Sequence, residues 1–366
     1  MPRALLAFFQ AAAPPRPVPG RSLSLAGVLA LALCWPPGPA RADTPTDAAA
    51  AGTGSAIEAQ SRALSRAHAA VVGLNVSAID GARSAATLGS EREGSGVVIA
   101  ADDLVLTIGY LVLEAQTVQI TTHDGRQYPG RVLAYDGATG FGLVQSLAPL
   151  GLAPVPLGQA SALRPEESLM LASGGAEGGV GPAQLVSRRA FSGYWEYHVE
   201  GALFTRPPRR DHAGAALFNA RGELLGIGSL FVTDAQGVGA TGLPGNMFVP
   251  VDLLPPVLAE LRQHGSSRAS QRPWLGLNCF EEAGQVRVLR VSDDSPADVA
   301  GLQRGDHIRR IDGVPVSDLA ALWKTLWSDS AAERAVRLDI ERDGQTLSLT
   351  VHAVDRAKTF RRAPGI

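Results

Sequence analysis

Cysteine is scarce in this chain, with 2 in 366 residues. Cys34 falls in a leader that export would remove, which leaves Cys279 alone and excludes an intramolecular disulfide. Lysine is almost missing too: Lys324 and Lys358 are the only ones, and both lie far from the N-terminal two thirds, which excludes a serine–lysine dyad there. The 7 histidines show neither HxH nor HExxH spacing, so neither a metal site nor a cofactor is expected. Basic charge is not in surplus. Arg3, Arg16, Arg21 and Arg41 are the only charges before Asp43, so losing the leader leaves 35 acidic residues facing four fewer basic ones than the original 33, a balance of −6. Nucleic acid is therefore not an expected partner.

What is present begins with that leader. Arg21, the apolar run Leu23 to Leu33 and the small-x-small pattern Ala40-Arg41-Ala42 predict a signal peptide over residues 1–42. The run is too short for a comfortable membrane span, and Leu33 is too large for the position before a lipoprotein cysteine. Residues 43–64 are Ala, Thr and Gly with scattered charge, which predicts a flexible linker. From Ser65 to His264, short β-rich runs punctuated by Gly, Asp and Pro predict an all-β barrel or sandwich domain. It is closed by a helix over Pro250 to Leu261, with Asp252 as its cap and Gly265 as its stop. Residues 265–272 form a polar linker, 273–355 a second small unit, and 356–366 a tail.

Two sets of motifs carry a resemblance. Gly94-Ser95-Gly96-Val97-Val98-Ile99, Leu106-Thr107-Ile108-Gly109-Tyr110-Leu111-Val112, Asp136 to Leu143 and His212-Ala213-Gly214-Ala215-Ala216-Leu217-Phe218-Asn219 resemble the HtrA/DegP family of trypsin-like serine proteases. In the second unit, Trp274-Leu275-Gly276-Leu277, then Ser295-Pro296-Ala297 through Gly301-Leu302, then Gly305-Asp306 through Val316 resemble a bacterial PDZ domain. The resemblance implies a mostly β fold, a chymotrypsin/trypsin-like double β-barrel followed by a PDZ domain, in a periplasmic protein of protein quality control.

It also places the family's catalytic histidine, aspartate and serine on Tyr110, Gly140 and Ala213. Such a mechanism needs a nucleophile, a base to take its proton, an acid to orient the base and amide donors for the oxyanion. Ala213 has no hydroxyl, Gly140 no carboxylate, and a phenol is protonated at neutral pH. Asp211 stands where the family has the glycine of the oxyanion loop, and Thr205, Arg206 and Pro207-Pro208 depart from the family's run into that loop. The expectation is a chain that is not an enzyme, a pseudoprotease. A displaced arrangement could draw on Ser95, His123, Asp136, Asp211 and His212, and the alternative is an active ATP-independent periplasmic serine endopeptidase with a rearranged catalytic site.

For the PDZ unit, the resemblance implies that the amides of Leu275, Gly276 and Leu277 hold a peptide's terminal carboxylate while the peptide adds as a strand. Leu322 and Leu326, on a helix near Asp318 to Trp327, either line the side-chain pocket or belong to the core, and Cys279 reads as buried filler. The partners implied are polypeptide C-termini or unfolded proteins, with an active member of the same family as a further partner. The chain's own end, Arg361 to Ile366, is also of the ligand type. Family trimers use aromatic side chains near the mature N-terminus, and Asp43 to Val72 holds none, which leaves the oligomeric state open.

Overall fold

Short apolar runs broken by glycine close into two barrels. The computed structural model describes residues 47–361 apart from 165–166, 176–177, 238–241 and 330, so the expected signal peptide and the last residues of the tail, 362–366, lie outside the described residues. The first barrel consists of β1 (Val71–Ala78), β2 (Glu91–Ala100), β3 (Leu104–Ile108), β4 (Ala115–Thr121), β5 (Gln127–Tyr135) and β6 (Phe141–Ser146), closed in the order β1-β2-β3-β6-β5-β4. The second consists of β7 (Ser168–Ala172), β8 (Val180–Ser192), β9 (His198–Arg206), β10 (Ala216–Phe218), β11 (Leu224–Val232) and β12 (Gly245–Pro250), in the order β10-β11-β12-β9-β8-β7. Closure leaves no open sheet edge, which is how all-β domains avoid edge-to-edge pairing. β3, Leu-Val-Leu-Thr-Ile, is buried at every position because its neighbours β2 and β6 and the second barrel cover it. β10 is only three residues long, too short to announce itself by alternation.

Where the sequence predicts a linker from residue 43, the structure has helix α1 (Asp47–Ala69). Alanine-rich sequence has high helix propensity, and packing completes the case: Ala67 is buried, and the Ala63 carbonyl lies against Gly222 of the second barrel. Two single turns follow, α2 (Ala85–Leu88) and α3 (Gly109–Val112), the second carrying Tyr110. The predicted helix over 250–261 divides into a 3-10 turn at Val251–Leu253 and α4 (Leu258–His264), capped by Gly265 at φ 76°. Asp252 does not cap it; its carboxylate accepts from the amides of Ala160 (2.6 Å) and Ser161 (2.8 Å) instead.

The third sheet is built from β13 (Pro273–Trp274), β14 (Leu277–Glu282), β15 (Gln285–Val291), β16 (His307–Ile311), β17 (Val314–Pro315), β18 (Arg334–Arg342) and β19 (Gln345–Asp355). Its order is β13-β19-β18-β16-β15-β14, with β17 beside β16, and helices α5 (Pro296–Val299) and α6 (Leu319–Leu326) accompany it. Asp318 caps α6 by accepting from the Ala321 amide at 2.7 Å. The segment 265–272 is fixed rather than loose. The fully buried carboxylate of Asp136, in the first barrel, accepts from Ser267 Oγ (2.5 Å), Thr139 Oγ1 (2.6 Å) and the Thr139 amide (2.9 Å), and also from Ser270 Oγ. Burial disfavours its charge, yet these donors outweigh burial and hold the carboxyl below its usual range. Residues from Ala50 onward form one compact unit.

Candidate functional site

The seam between the barrels is made of backbone brought close by glycine. The Ser95 amide of β2 donates to the Ala213 carbonyl (2.8 Å), the Gly214 amide to Gly228 (2.9 Å), and the Gly109 amide to Gly140 (2.7 Å). Tyr110 reaches across and donates its hydroxyl to the Ser229 carbonyl of β11 at 2.9 Å. Burial pushes that phenol upward from its ordinary value, so it is a protonated donor with no role as a base. Gly140 sits at φ 86°, and a Cβ there would lie 2.9 Å from the hydroxyl oxygen of Tyr197, which donates to the Thr139 carbonyl (2.9 Å). The backbone network thus assembles Tyr110, Gly140 and Ala213 at one cleft without supplying a nucleophile there.

Asp211 does not present a bare anion to this cleft. Arg209 Nε donates to its Oδ1 at 2.9 Å, Arg209 also pairs with Oδ2, and Ser173 Oγ donates to Oδ2. Burial raises the carboxyl's pKa, but these donors prevail and hold it low, so its charge is matched by a guanidinium. His212 binds the Arg209 carbonyl through Nδ1 (3.1 Å), and burial lowers its pKa, leaving a neutral ring. The other candidates for a displaced centre are occupied elsewhere. Ser95 Oγ accepts from the Gly174 amide at 2.9 Å, His123 packs edge-on against His68, and Asp136 holds the 265–272 segment.

A different polar series, which the sequence did not mark, lies at the end of the β8–β9 hairpin. Ser192 and His198 are cross-strand partners, and Ser192 Oγ is 2.8 Å from His198 Nδ1. His198 Nε2 is 3.1 Å from Glu200 Oε1, which Lys324 of α6 also approaches at 2.6 Å. With the ring proton on Nε2, the order is hydroxyl, imidazole, carboxylate. It is the only hydroxyl–imidazole hydrogen bond among the described residues. The two-residue period of a strand puts His198 and Glu200 on one face. Among the described residues no group of three or more His, Cys, Asp or Glu converges as metal ligands would.

The amides of Leu275, Gly276 and Leu277 converge in a nest, and a carboxylate of the chain itself is in it. The side chain of Glu196, from the turn between β8 and β9, accepts from the amides of Leu275 (3.1 Å), Gly276 (2.7 Å) and Leu277 (3.0 Å). Gly276 has φ 88°, and a Cβ there would fall 2.2 Å from Ser295 Cβ, so only glycine keeps the nest open. The neighbouring turn residues run along β14: Trp195 bridges Asn278 antiparallel, and the Cys279 amide donates to the Tyr194 carbonyl at 2.6 Å. Trp323 of α6 closes the other side, donating Nε1–H to the Gly193 carbonyl at 3.1 Å. Leu322 and Leu326 are fully buried in the domain core beside Leu275 and Val336, so the contact to this turn comes from Trp323 instead. Cys279 is buried in the same core, and burial, with the Glu196 charge as a smaller cause, raises its thiol. Glu196 escaped the sequence because a lone carboxylate among Tyr194, Trp195 and Tyr197 has no pattern of its own; it is recognisable only once the nest is beside it.

The sequence matches the model of the trypsin-like peptidase domain over residues 94–227 and that of the PDZ domain over 273–353. It is 30% identical over 283 residues to "Putative serine protease HhoA" of Synechocystis sp., covering 71% of this chain and 70% of HhoA. To the periplasmic serine endoprotease DegP of Escherichia coli it is 24% identical over 270 residues, covering 70% of this chain and 56% of DegP. The solved HtrA-type protease AlgWS227A with tripeptide shares the fold at a TM-score of 0.53 and 21% identity, covering 81% of this chain and 97% of that one. HhoA and DegP are serine proteases by name, which overturns the expectation of a chain that is not an enzyme: the comparison lies on the side of a peptidase. Two closed barrels followed by a PDZ unit, and this similarity across most of its length, make the chain a member of the HtrA/DegP family.

Proposed function

We propose that this chain is an envelope serine endopeptidase of protein quality control, working without ATP, whose PDZ unit takes polypeptide C-termini and whose catalytic centre is rearranged. Family membership supports the peptidase class, and the periplasmic naming of DegP supports the envelope. Because Ala213 offers no hydroxyl, hydrolysis requires a serine elsewhere. The observation that carries the reading is the series Ser192–His198–Glu200, in which nucleophile, base and orienting acid stand at 2.8 Å and 3.1 Å in that order. In this scheme His198 Nδ1 takes the proton of Ser192 as the hydroxyl attacks a peptide carbonyl, and Glu200 steadies the imidazolium that forms. Capture of unfolded chain ends through the nest of Leu275, Gly276 and Leu277 brings substrate to the same face, since the hairpin bearing Ser192 packs against that groove.

The test is labelling by a fluorophosphonate together with cleavage of casein, using the full chain purified away from host proteases. The expected result is labelling and cleavage by the unmodified chain, both abolished by Ser192→Ala and reduced at least about 100-fold by His198→Ala. An unlabelled, inactive chain, or one whose labelling persists in Ser192→Ala, overturns the assignment.

A further inference from the structure

The contact between the β8–β9 turn and the PDZ groove has the form of a bound ligand. Residues 193–196 run antiparallel to β14, toward the nest, with main-chain pairing at Trp195 and a carbonyl at Tyr194 accepting from Cys279. At the end of the run stands a carboxylate, that of Glu196, with three amide donors on it. This is how a peptide terminus would add to the same edge. The strand direction, the carbonyl acceptor and the anion are all supplied from within the chain.

The turn is also built to hold its shape. Trp195 stacks on Tyr197 with ring centroids 5.7 Å apart and planes 9° from parallel, and Tyr194 meets Trp195 edge-on at 4.9 Å. Immediately after Glu196, Tyr197 is anchored in the first barrel through its hydroxyl on Thr139 and its packing at Gly140. Two consecutive side chains therefore point in two directions, one into the PDZ nest and one against the inter-barrel cleft. Two residues on, Glu200 is tied to Lys324 of α6.

We propose that Gly193–Glu196 is an internal ligand of the PDZ unit, a stand-in for a chain terminus, and that an incoming polypeptide C-terminus binds by displacing it. The inference rests on the proposed reading of the groove as a site for terminal carboxylates. Displacement frees the hairpin from β14 and from Trp323, and because Tyr197 belongs to the same turn, it loosens the contact at Gly140 together with the tie to Ser192 and His198. The groove and the cleft are thus joined by one short segment. A ligand that needs the nest empty binds more weakly by the fraction of molecules in which the nest is open, so removing the internal carboxylate strengthens binding without any new contact to the peptide.

Two measurements on the full chain test this. Hydrogen exchange at the amides of residues 275–279 reports occupancy of the nest with no added ligand: Glu196→Ala is expected to speed exchange there at least about 10-fold, with Glu196→Gln moving it less in the same direction. Anisotropy with a labelled peptide copying residues 189–195 and ending in a valine with a free carboxylate reports the competition. Its apparent Kd is expected to fall at least about 10-fold in Glu196→Ala, and its C-terminal amide to bind neither form. Unchanged exchange in both variants overturns the internal ligand, as does equal peptide affinity in the unmodified chain and Glu196→Ala. Faster exchange with no peptide binding by either form retains the internal ligand and overturns the terminal-carboxylate reading of the groove instead. Glu196→Gln, nearly the same shape, keeps the test informative if Glu196→Ala does not fold.

Discussion

The inter-barrel cleft and the PDZ groove differ in what fills them. In the cleft, the backbone frame of the family is present, but the side chains at its centre are engaged in structure: Tyr110 bonds Ser229 across the seam and Tyr197 packs where a side chain at 140 would stand. In the groove, the amide donors of Leu275, Gly276 and Leu277 are all in place and are met by a carboxylate from the chain itself. A site can thus be closed by side chains packed into it, or by satisfying its donors from within. The second kind of closure is reversible by competition, because a ligand of the same chemistry can take over the bonds.

The sharpest way to break this contrast is at Gly214, on which the cleft's frame depends. It has φ 70°, and a Cβ there would lie 1.9 Å from the Ser95 carbonyl oxygen, so Gly214→Ala must move backbone in one barrel or the other. The expected cost is about 3 kcal/mol or more, read from the urea midpoint of the chain. A loss below about 1 kcal/mol would show that the frame is not rigid.

A smaller effect is expected at Gly140. Gly140→Asp adds a carboxylate at φ 86° and against the Tyr197 hydroxyl, so its expected cost is about 2 kcal/mol, with faster amide exchange over residues 193–199. Stability equal to that of the unmodified chain would mean that the cleft is free to accept the group and that Tyr197 does not guard it.

The mildest test uses pH. Burial pushes the Glu196 carboxyl up to about 7, against the hydrogen bonds from Leu277, Leu275 and Gly276 and the charge of Arg356. When released, the group is an ordinary carboxyl near 4.5. A raised value in the closed state means that closure is strongest below about 4.5 and weakens as pH rises to about 7, then levels off. Arg356 faces the same carboxyl, burial raises the Cys279 thiol further, and His198 and Glu200 of the hairpin, with Lys324 of α6, are the other titratable groups nearby. Peptide affinity measured by anisotropy is therefore expected to rise severalfold between about pH 5 and 7.5 in the unmodified chain. It should stay flat in Glu196→Gln. An identical slope in both proteins would show that Glu196 is not the group responsible.

Much of the architecture was legible beforehand because it is written in local pattern. The runs around Val97, Val118 and Phe141 read as strands, and the Leu275-Gly276-Leu277 loop stands out because a left-handed glycine between apolar residues is a local requirement. The helix over Asp47–Ala69 was misread since low-complexity alanine sequence is equally compatible with a linker until Gly222 provides a surface for it. The pairing of Asp211 is legible only in part: Arg209 is two residues away in the same loop, whereas Ser173 reaches it only because β7 folds against that loop. The same limit hid Ser192, His198 and Glu200: their types are common, and only strand pairing puts them in sequence.

The amino-acid sequence by itself determined the family, the two kinds of domain and the absence of a hydroxyl at Ala213, since these depend on residue identity and short-range periodicity. The tertiary structure decided which groups meet. That a glutamate in a barrel hairpin lies in a nest some 80 residues further along is a matter of long-range packing. A carboxylate has the same formula in solvent as it has among three amides, and its energy there depends on burial and donors that only the folded chain supplies.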